Sequence, residues 1–242
     1  MKAHKILFCI VILTMFIFSG QNAFSTVHYL YFNDFSSYIG PEWSTSHEDG
    51  LTISTTPSGE NFLGRDPLYG FQNETVRLAL TGLPMNSILD VSFDLFIINS
   101  WDGNTPGEYG PDYWSFGVEG ESPLLYTTFR NTSDQDYQSY PNNYYAENPY
   151  RTGAIENNTL GYTFYGDAVY NLNFNVAYTG NSVTLEFMAS NLQTYSIEDE
   201  SWGLDNVSVA VIPEPSTVML LGAGLLSLCC FGKLRKKKCH KS

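Results

Sequence analysis

Apolar and polar residues alternate along five stretches in the middle of the chain. The apolar positions are Val76, Leu78, Leu80; Leu89, Val91, Phe93, Leu95, Ile97; Trp114, Phe116, Val118; Tyr170, Leu172, Phe174, Val176, Tyr178; and Val183, Leu185, Phe187. A period of two places these side chains on one face of a β-strand, so each stretch predicts a half-buried strand. Clusters of turn-forming residues separate the stretches, as at 99–111 and 179–182, and we find no convincing helical stretch in this middle part of the chain. The pattern predicts an all-β fold, a single antiparallel β-sandwich of the jelly-roll or lectin-like type.

The last predicted strand contains a break in this alternation. Trp202 and Leu204 fall on one phase, whereas the valines from Val207 onward fall on the other. A slip of this kind is typical of a β-bulge near Asp205, which often redirects a side chain toward a site. A strand that crosses from one sheet to the other would produce the same pattern, and the sequence leaves both interpretations open.

The two ends of the chain differ from the middle in being apolar and basic. Residues 1–25 have a basic start, an apolar run at 6–18 and the ending Ala23-Phe24-Ser25, which predict a secretory signal peptide. The apolar run at residues 217–232 predicts a transmembrane helix. A basic membrane stop follows it and places the tail in the cytoplasm, formed by Lys233, Arg235, Lys236, Lys237 and Lys238. The exported domain is then residues 26–212, ahead of a C-terminal segment at 213–242.

The C-terminal segment begins with Pro213-Glu214-Pro215, continues with the apolar run and ends in the basic cluster. This arrangement resembles the PEP-CTERM sorting signal of bacteria that make extracellular polysaccharide. The resemblance implies recognition by an exosortase-type membrane protease and cleavage near Pro-Glu-Pro. It also implies delivery to the cell surface or extracellular matrix of a Gram-negative bacterium. An ordinary single-pass membrane anchor is the alternative interpretation.

The exported domain is strongly acidic. It contains 24 of the chain's 25 acidic residues, all except Glu214, and four basic residues, Arg65, Arg77, Arg130 and Arg151, for a formal charge of −20. Such a surface repels phosphate backbones, so we expect no nucleic-acid partner. The four cysteines all lie in the end segments, which excludes a disulfide and a Cys-based site from the domain.

The two ends of the domain carry a second resemblance. The opening Phe32-Asn33-Asp34-Phe35-Ser36 and the ending at residues 202–209 are similar to the terminal strands of carbohydrate-binding jelly-roll modules. That resemblance implies that the terminal strands lie side by side and share a structural Ca²⁺ held by Asp34 and Asp205. The commoner pattern of those modules has Glu where this chain has Ser36.

Aromatic residues near carboxylates form the candidate ligand surface. Flat rings pack on the C–H groups of sugars while carboxylates accept hydrogen bonds from hydroxyl groups, here Asp102, Glu108 and Asp112. The candidate carbohydrate-binding residues are Trp101, Tyr109, Tyr113, Tyr144 and Tyr145. Trp114 is in phase with a predicted strand and is assigned to the core. The Tyr-rich loop at residues 134–150 is either a contact surface or a flap over one edge of the sandwich.

The domain lacks the residues that common catalytic sites need. His28 and His47 are its only histidines, and it has no Gly-x-Ser-x-Gly sequence and no phosphate-binding glycine loop. Acidic groupings such as Asp134-x-Asp136 or Glu198-Asp199-Glu200 are further candidates for Ca²⁺. We therefore expect a non-catalytic surface or matrix protein that binds polysaccharide. The alternatives are an adhesive protein that contacts other proteins and a glycosidase with two carboxylates, although no pair of acids stands out.

Overall fold

Twelve β-strands and no helix make up the part of the chain that the computed structural model describes, residues 28–132, 136–193 and 196–212. The strands are β1 His28–Asn33, β2 Trp43–Thr45, β3 Thr52–Thr55, β4 Asn61–Gly64, β5 Thr75–Thr81, β6 Ser87–Asn99, β7 Tyr113–Val118, β8 Leu125–Thr128, β9 Glu156–Asn157, β10 Asp167–Tyr178, β11 Ser182–Ser190 and β12 Glu200–Ile212. The predicted signal peptide, transmembrane helix, membrane stop and Pro-Glu-Pro lie outside the described residues. Among those described, no helix is long and apolar enough to cross a bilayer.

The strands form two antiparallel sheets. The seven-stranded sheet has the order β3-β4-β12-β6-β10-β9, with β1 beside the second half of β12, and the five-stranded sheet has the order β2-β5-β11-β7-β8. Terminal strands β1 and β12 pair directly, with Asn33 opposite Val207. The two sheets pack face to face as a β-sandwich, so the predicted all-β sandwich is confirmed, and the jelly-roll assignment stays a prediction.

The core lies between the two sheets and is built by the predicted alternation. Along β6 the residues from Leu89 to Leu95 alternate between buried and partly exposed positions, and β11 has the same pattern. Phe93 of β6 packs edge-to-face on Phe187 of β11, with ring centroids 5.1 Å apart, and Phe174 of β10 lies 4.6 Å from Phe116 of β7. Each such buried ring contributes about 1.5–3 kcal/mol of hydrophobic stabilisation, and contacts between the sheets are what hold the sandwich together.

All four tryptophans of the chain belong to this core, as the alternation predicted for Trp114. Trp101 and Trp202 are fully buried, and the Trp101 Nε1–H donates to the Ser201 carbonyl over 2.8 Å. Trp43 is also buried and donates its indole N–H to the Tyr31 hydroxyl. Within the described residues the exposed aromatic surface is therefore made of tyrosine and phenylalanine.

The break in β12 is a bulge. The pairing of β12 with β6 shifts between Asp205 and Ser208, and β12 stays beside β6 on both sides of the shift. Asn206 takes a positive φ of 50° there, a backbone conformation that asparagine tolerates better than most residues. Leu204 and Val207 are consequently both fully buried. The bulge interpretation is confirmed, and the crossing between sheets is wrong.

A smaller apolar cluster covers the outer face of the seven-stranded sheet. It joins Phe62 of β4, Phe96 and Ile98 of β6 and Val169 of β10 to residues of the loop before β10, which are Leu160 and Tyr162. The Tyr162 hydroxyl donates to the Leu68 carbonyl over 2.5 Å and ties this loop to a second one. One end of β6 is thus buried on both faces, and the loop before β10 that covers it also lines the candidate site through Phe164 and Tyr165.

Candidate functional site

A cleft of about 780 Å³ lies at the end of the sandwich where β6 ends and β10 and β12 begin. Four exposed aromatic side chains line it: Tyr109, Tyr150, Phe164 and Tyr165, with 57%, 42%, 55% and 53% of their surface exposed. Phe164 and Tyr165 pack edge-to-face with their ring centroids 4.6 Å apart. The cleft therefore combines a concave shape with aromatic surface that is accessible to a ligand.

Charged side chains lie among these aromatic residues. Asp102, Arg130, Asp136, Arg151 and Asp199 all line the cleft. Arg130 is 1% exposed, and its Nη2 lies 3.7 Å from Asp136 Oδ2. Arg151 Nη2 donates to the Tyr165 carbonyl over 3.1 Å, and Asp199 Oδ1 accepts from Ser100 Oγ over 2.6 Å. Such contacts fix these groups in place before a ligand arrives, which reduces the entropy lost on binding.

Gln138, which is fully buried, holds one wall of the cleft. Its Oε1 accepts from the backbone N–H groups of Arg130 and Arg151, at 3.2 and 2.9 Å, and from the Tyr170 hydroxyl at 3.3 Å. Its Nε2 donates to the carbonyls of Tyr140 and Thr152, at 3.1 and 2.9 Å. One amide side chain thus connects the Tyr-rich loop, both cleft arginines and strand β10.

Three carboxylates meet at Asp102, Asp112 and Glu200, and one oxygen of each lies within 4.8 Å of the other two. Asp102 lines the cleft, whereas Asp112 and Glu200 are fully buried. Burial, with a further contribution from Glu200, raises the pKa of Asp112 well above its ordinary range. Burial likewise raises the pKa of Glu200 to about 8, although the hydrogen bond that Glu200 accepts from the Gln193 N–H acts to lower this pKa. Each charge in this cluster is therefore costly without a counter-charge.

A second aromatic surface, the tyrosine patch, consists of Tyr113, Tyr126, Tyr144 and Tyr145. Tyr113 stacks on Tyr126 with ring centroids 5.0 Å apart, and Tyr144 packs edge-on against Tyr113 at 5.1 Å. Tyr144 also donates its backbone N–H to the Tyr126 carbonyl. The Tyr-rich loop therefore lies along β8, as a flap over one edge of the sandwich would, and it also exposes tyrosines, as a contact surface would. Its described part is consistent with both interpretations.

The structure separates the five predicted carbohydrate-binding residues. Tyr109 lies in the cleft, whereas Tyr113, Tyr144 and Tyr145 come together in the tyrosine patch. The prediction for Trp101 is wrong, because a fully buried ring presents no face to a sugar. Asp112, predicted as a hydroxyl acceptor, is fully buried as well.

Sequence reasoning missed several groups of the cleft. Phe164, Tyr165, Arg130 and Arg151 were not predicted as part of a site. A signal existed for the first two, since adjacent aromatic residues between Gly161 and Gly166 are unusual in a polar loop. The two arginines gave no local signal, because what places them is the fold.

The predicted calcium residues lie near each other, Asp34 directly after β1 and Asp205 at the bulge of β12, the strand that pairs with β1. Asp205 is 4% exposed, and burial, with Glu60 and Asp94 as further causes, raises its pKa to about 7. Asp34 is exposed, and a hydrogen bond from the Ser36 N–H lowers its pKa. Among the described residues, no third acid joins this pair in a cluster as tight as that of Asp102. Calcium held by Asp34 and Asp205 therefore stays a prediction.

The other acidic groupings separate in the same way. Asp134 lies outside the described residues, whereas Asp136 lines the cleft. Of the run from Glu198 to Glu200, Asp199 lines the cleft and Glu200 is buried in the carboxylate cluster. Glu200 therefore groups with Asp102 and Asp112, which are distant in the sequence, and not with Glu198 and Asp199.

A family model for the PEP-CTERM protein-sorting motif matches residues 211–236. The recognition based on Pro213-Glu214-Pro215 is thereby confirmed. The motif implies export, a destination at the cell surface or outside the cell, and processing by an exosortase.

Solved structures give weak likenesses. One is the C-terminal CBM6 of LamC, a marine laminarinase from Zobellia galactanivorans, with 10% identity, a TM-score of 0.32 and coverage of 74% of this chain and 98% of that one. Another is a family GH115 4-O-methyl-α-glucuronidase, BtGH115A, with 10% identity, a TM-score of 0.33 and coverage of 67% and 16%. A third is an exo-β-1,3-galactanase from Phanerochaete chrysosporium, with 10% identity, a TM-score of 0.33 and coverage of 76% and 29%.

This chain thus spans less than a third of those two enzymes. No curated protein matches its sequence. At such scores the likenesses carry no argument about activity, and the function has to be argued from the residues of this chain.

Proposed function

We propose that this protein binds polysaccharide outside the cell, in the matrix of a Gram-negative bacterium, without cleaving it. The sorting motif supports the destination, and the cleft supports the binding. The observation that carries the proposal is the presence of four half-exposed aromatic side chains around one concave site, with charged groups between them.

The chemistry of the cleft suits a polyhydroxylated ligand. Aromatic faces such as that of Tyr165 gain contact energy from the C–H surface of a sugar ring. Guanidinium and carboxylate groups offer donors and acceptors for neighbouring hydroxyl groups, and Arg151 and Asp199 are held by protein contacts in positions where they can do this. Preformed polar groups between apolar surfaces are the usual composition of a small-ligand site.

A glycan array probed with residues 26–212 tests the proposal, since both core clusters lie within that segment. We expect specific binding that falls about tenfold in Tyr109→Ala or Tyr165→Ala, because each change removes one stacking face worth roughly 1.4 kcal/mol. Tyr38→Ala is the matched control: Tyr38 is 61% exposed and does not line the cleft. Absence of binding to any glycan, or equal loss in all three variants, contradicts the proposal.

The same material separates binding from catalysis. We expect no new reducing ends when the bound polysaccharide is incubated with the protein. Release of sugar that disappears in Asp136→Asn or Asp199→Asn would instead identify the cleft as a carboxylate-dependent glycosidase site.

The tyrosine patch favours one alternative function, adhesion to other proteins. Tyrosine provides large contact area at low cost in side-chain entropy and is enriched in protein interfaces. If the glycan array is silent and Tyr145→Ala weakens binding of the protein to the bacterial surface, adhesion through this patch replaces the carbohydrate proposal.

A further inference from the structure

We propose that Asp102, Asp112 and Glu200 bind one hard divalent cation, best matched by Ca²⁺, at the base of the cleft. This site differs from the terminal-strand pair of Asp34 and Asp205, and it does not depend on the identity of the cleft ligand.

The spacing of the three carboxylates fits a single ion. Oxygen atoms bound to Ca²⁺ lie about 2.3–2.6 Å from it, so two of them on one ion are at most about 5 Å apart. One oxygen each from Asp102, Asp112 and Glu200 satisfies this limit, since all three lie within 4.8 Å of one another.

Two buried oxygen atoms give an independent reason. Asp112 Oδ1 and Glu200 Oε1 are fully shielded from solvent and have no hydrogen-bond partner. Their sister oxygens are satisfied, because Asp112 Oδ2 accepts from the Asp102 N–H and Glu200 Oε2 accepts from the Gln193 N–H. A buried carboxylate oxygen without a partner destabilises the folded state, and a coordinated cation removes that penalty.

The local charge also matches a divalent cation. Arg130 lies beside this cluster, with Nη1 3.9 Å from Asp102 Oδ1, but its Nη2 also lies 3.7 Å from Asp136 Oδ2, so it offsets at most one of the three negative charges. At least two negative charges remain in the cluster, which suits a divalent ion. The competing arrangement is a proton shared between Asp112 and Glu200, which would also relieve repulsion, and titration with Ca²⁺ distinguishes it from a bound ion.

The donor set selects the kind of ion. All three side chains offer carboxylate oxygen, the ligand type that Ca²⁺ and other hard cations prefer, whereas Zn²⁺ sites in proteins are dominated by His and Cys. Asp102 lines the cleft, so an ion can enter from that side and complete its shell with water. Such an ion would join the loop after β6 to the starts of β7 and β12 and would fix Asp102 in the cleft floor.

The experiment uses the full chain in mild detergent, freed of metal with chelator and titrated with CaCl₂ and separately with Tb³⁺. Tb³⁺ luminescence reports proximity to tryptophan, and the Trp101 indole contacts the residue next to Glu200. We expect one ion to bind with sensitised luminescence, and Ca²⁺ to displace Tb³⁺. Absence of saturable binding up to about 10 mM Ca²⁺, tenfold beyond the weak extracellular range, overturns the proposal in favour of the shared proton.

Three variants locate the ion. We expect Asp112→Asn to weaken Ca²⁺ binding at least tenfold, whereas Asp136→Asn, in the cleft but outside the cluster, and Asp205→Asn, in the terminal-strand pair, leave it within twofold. Loss in Asp205→Asn with retention in Asp112→Asn assigns the ion to the terminal strands and overturns the proposal. If Asp112→Asn does not fold, Glu200→Gln takes its place, and the wild-type titration decides by itself whether sensitised binding occurs.

Discussion

The prediction that tests the architecture of the cleft most directly is the replacement of Gln138 by alanine. Five hydrogen bonds are lost with this side chain. At a net value of about 1 kcal/mol each, with the longest bond, from the Tyr170 hydroxyl at 3.3 Å, worth less, the expected loss of unfolding free energy is about 3–5 kcal/mol. For a domain of this size that corresponds to a fall in Tm of about 6–20 °C.

Urea denaturation followed by tryptophan fluorescence measures this loss, because all four tryptophans are buried. Tyr170→Phe is the graded control: it removes one long hydrogen bond to the same amide and is expected to cost at most about 1 kcal/mol. A Gln138→Ala variant that loses less than about 1 kcal/mol at an unchanged m value would refute the reasoning. The buried amide would then not hold the cleft wall.

Three further predictions concern the candidate sites. Trp101→Phe should cost about 1–3 kcal/mol of stability, because the Ser201 carbonyl loses its buried donor, while the glycan affinity of the folded protein stays unchanged. A loss of affinity without a loss of stability would show that Trp101 contacts the glycan. In metal-free buffer at pH 8, Asp205→Asn should raise Tm, because burial beside Glu60 raises the pKa of the wild-type carboxyl to about 7 and disfavours its ionised form. The difference in Tm should vanish below pH 4, where the Asp205 carboxyl and the asparagine amide that replaces it are both neutral. If Asp34 and Asp205 share Ca²⁺, adding 1 mM Ca²⁺ should raise the wild-type Tm by several degrees more than that of Asp205→Asn, whereas equal increments contradict a shared ion.

The sandwich could be predicted from the sequence because its long strands obey a local rule. In β6, β10 and β11 one face meets the opposite sheet, so apolar residues recur at every second position, and the bulge in β12 is visible as a break in that period. Phe96 and Ile98 do not follow this pattern: they lie on the outer face of the sheet and are buried, because a loop distant in sequence, carrying Leu160 and Tyr162, covers them. No pattern within β6 contains that information.

The candidate site was harder to predict, because burial decides the role of its residues. Trp101 and Asp102 are adjacent, yet one is in the core and the other lines the cleft. Asp112 and Glu200 resemble any other acidic residues of an acidic chain until the fold brings them together. Sequence composition pointed to aromatic and acidic residues, of which Tyr109 and Asp102 line the cleft while Trp101 and Asp112 are buried, since composition carries no measure of exposure.

The distribution of charge narrows the class of polysaccharide. Arg65 and Arg77 form ion pairs away from the cleft, with Glu74 and with Glu119 and Glu186, and only Arg130 and Arg151 line it. Those two guanidinium groups face three carboxylates, so the cleft itself is not positive, and the domain around it carries −20. A polyanion would meet repulsion at long range, and the side chains of the cleft supply no net positive charge to offset it. We therefore expect a neutral glycan, and raising NaCl from about 0.05 to 0.5 M should change its affinity less than twofold, since screening acts on charge pairs and not on stacking. A steep salt dependence would show that net charge dominates recognition.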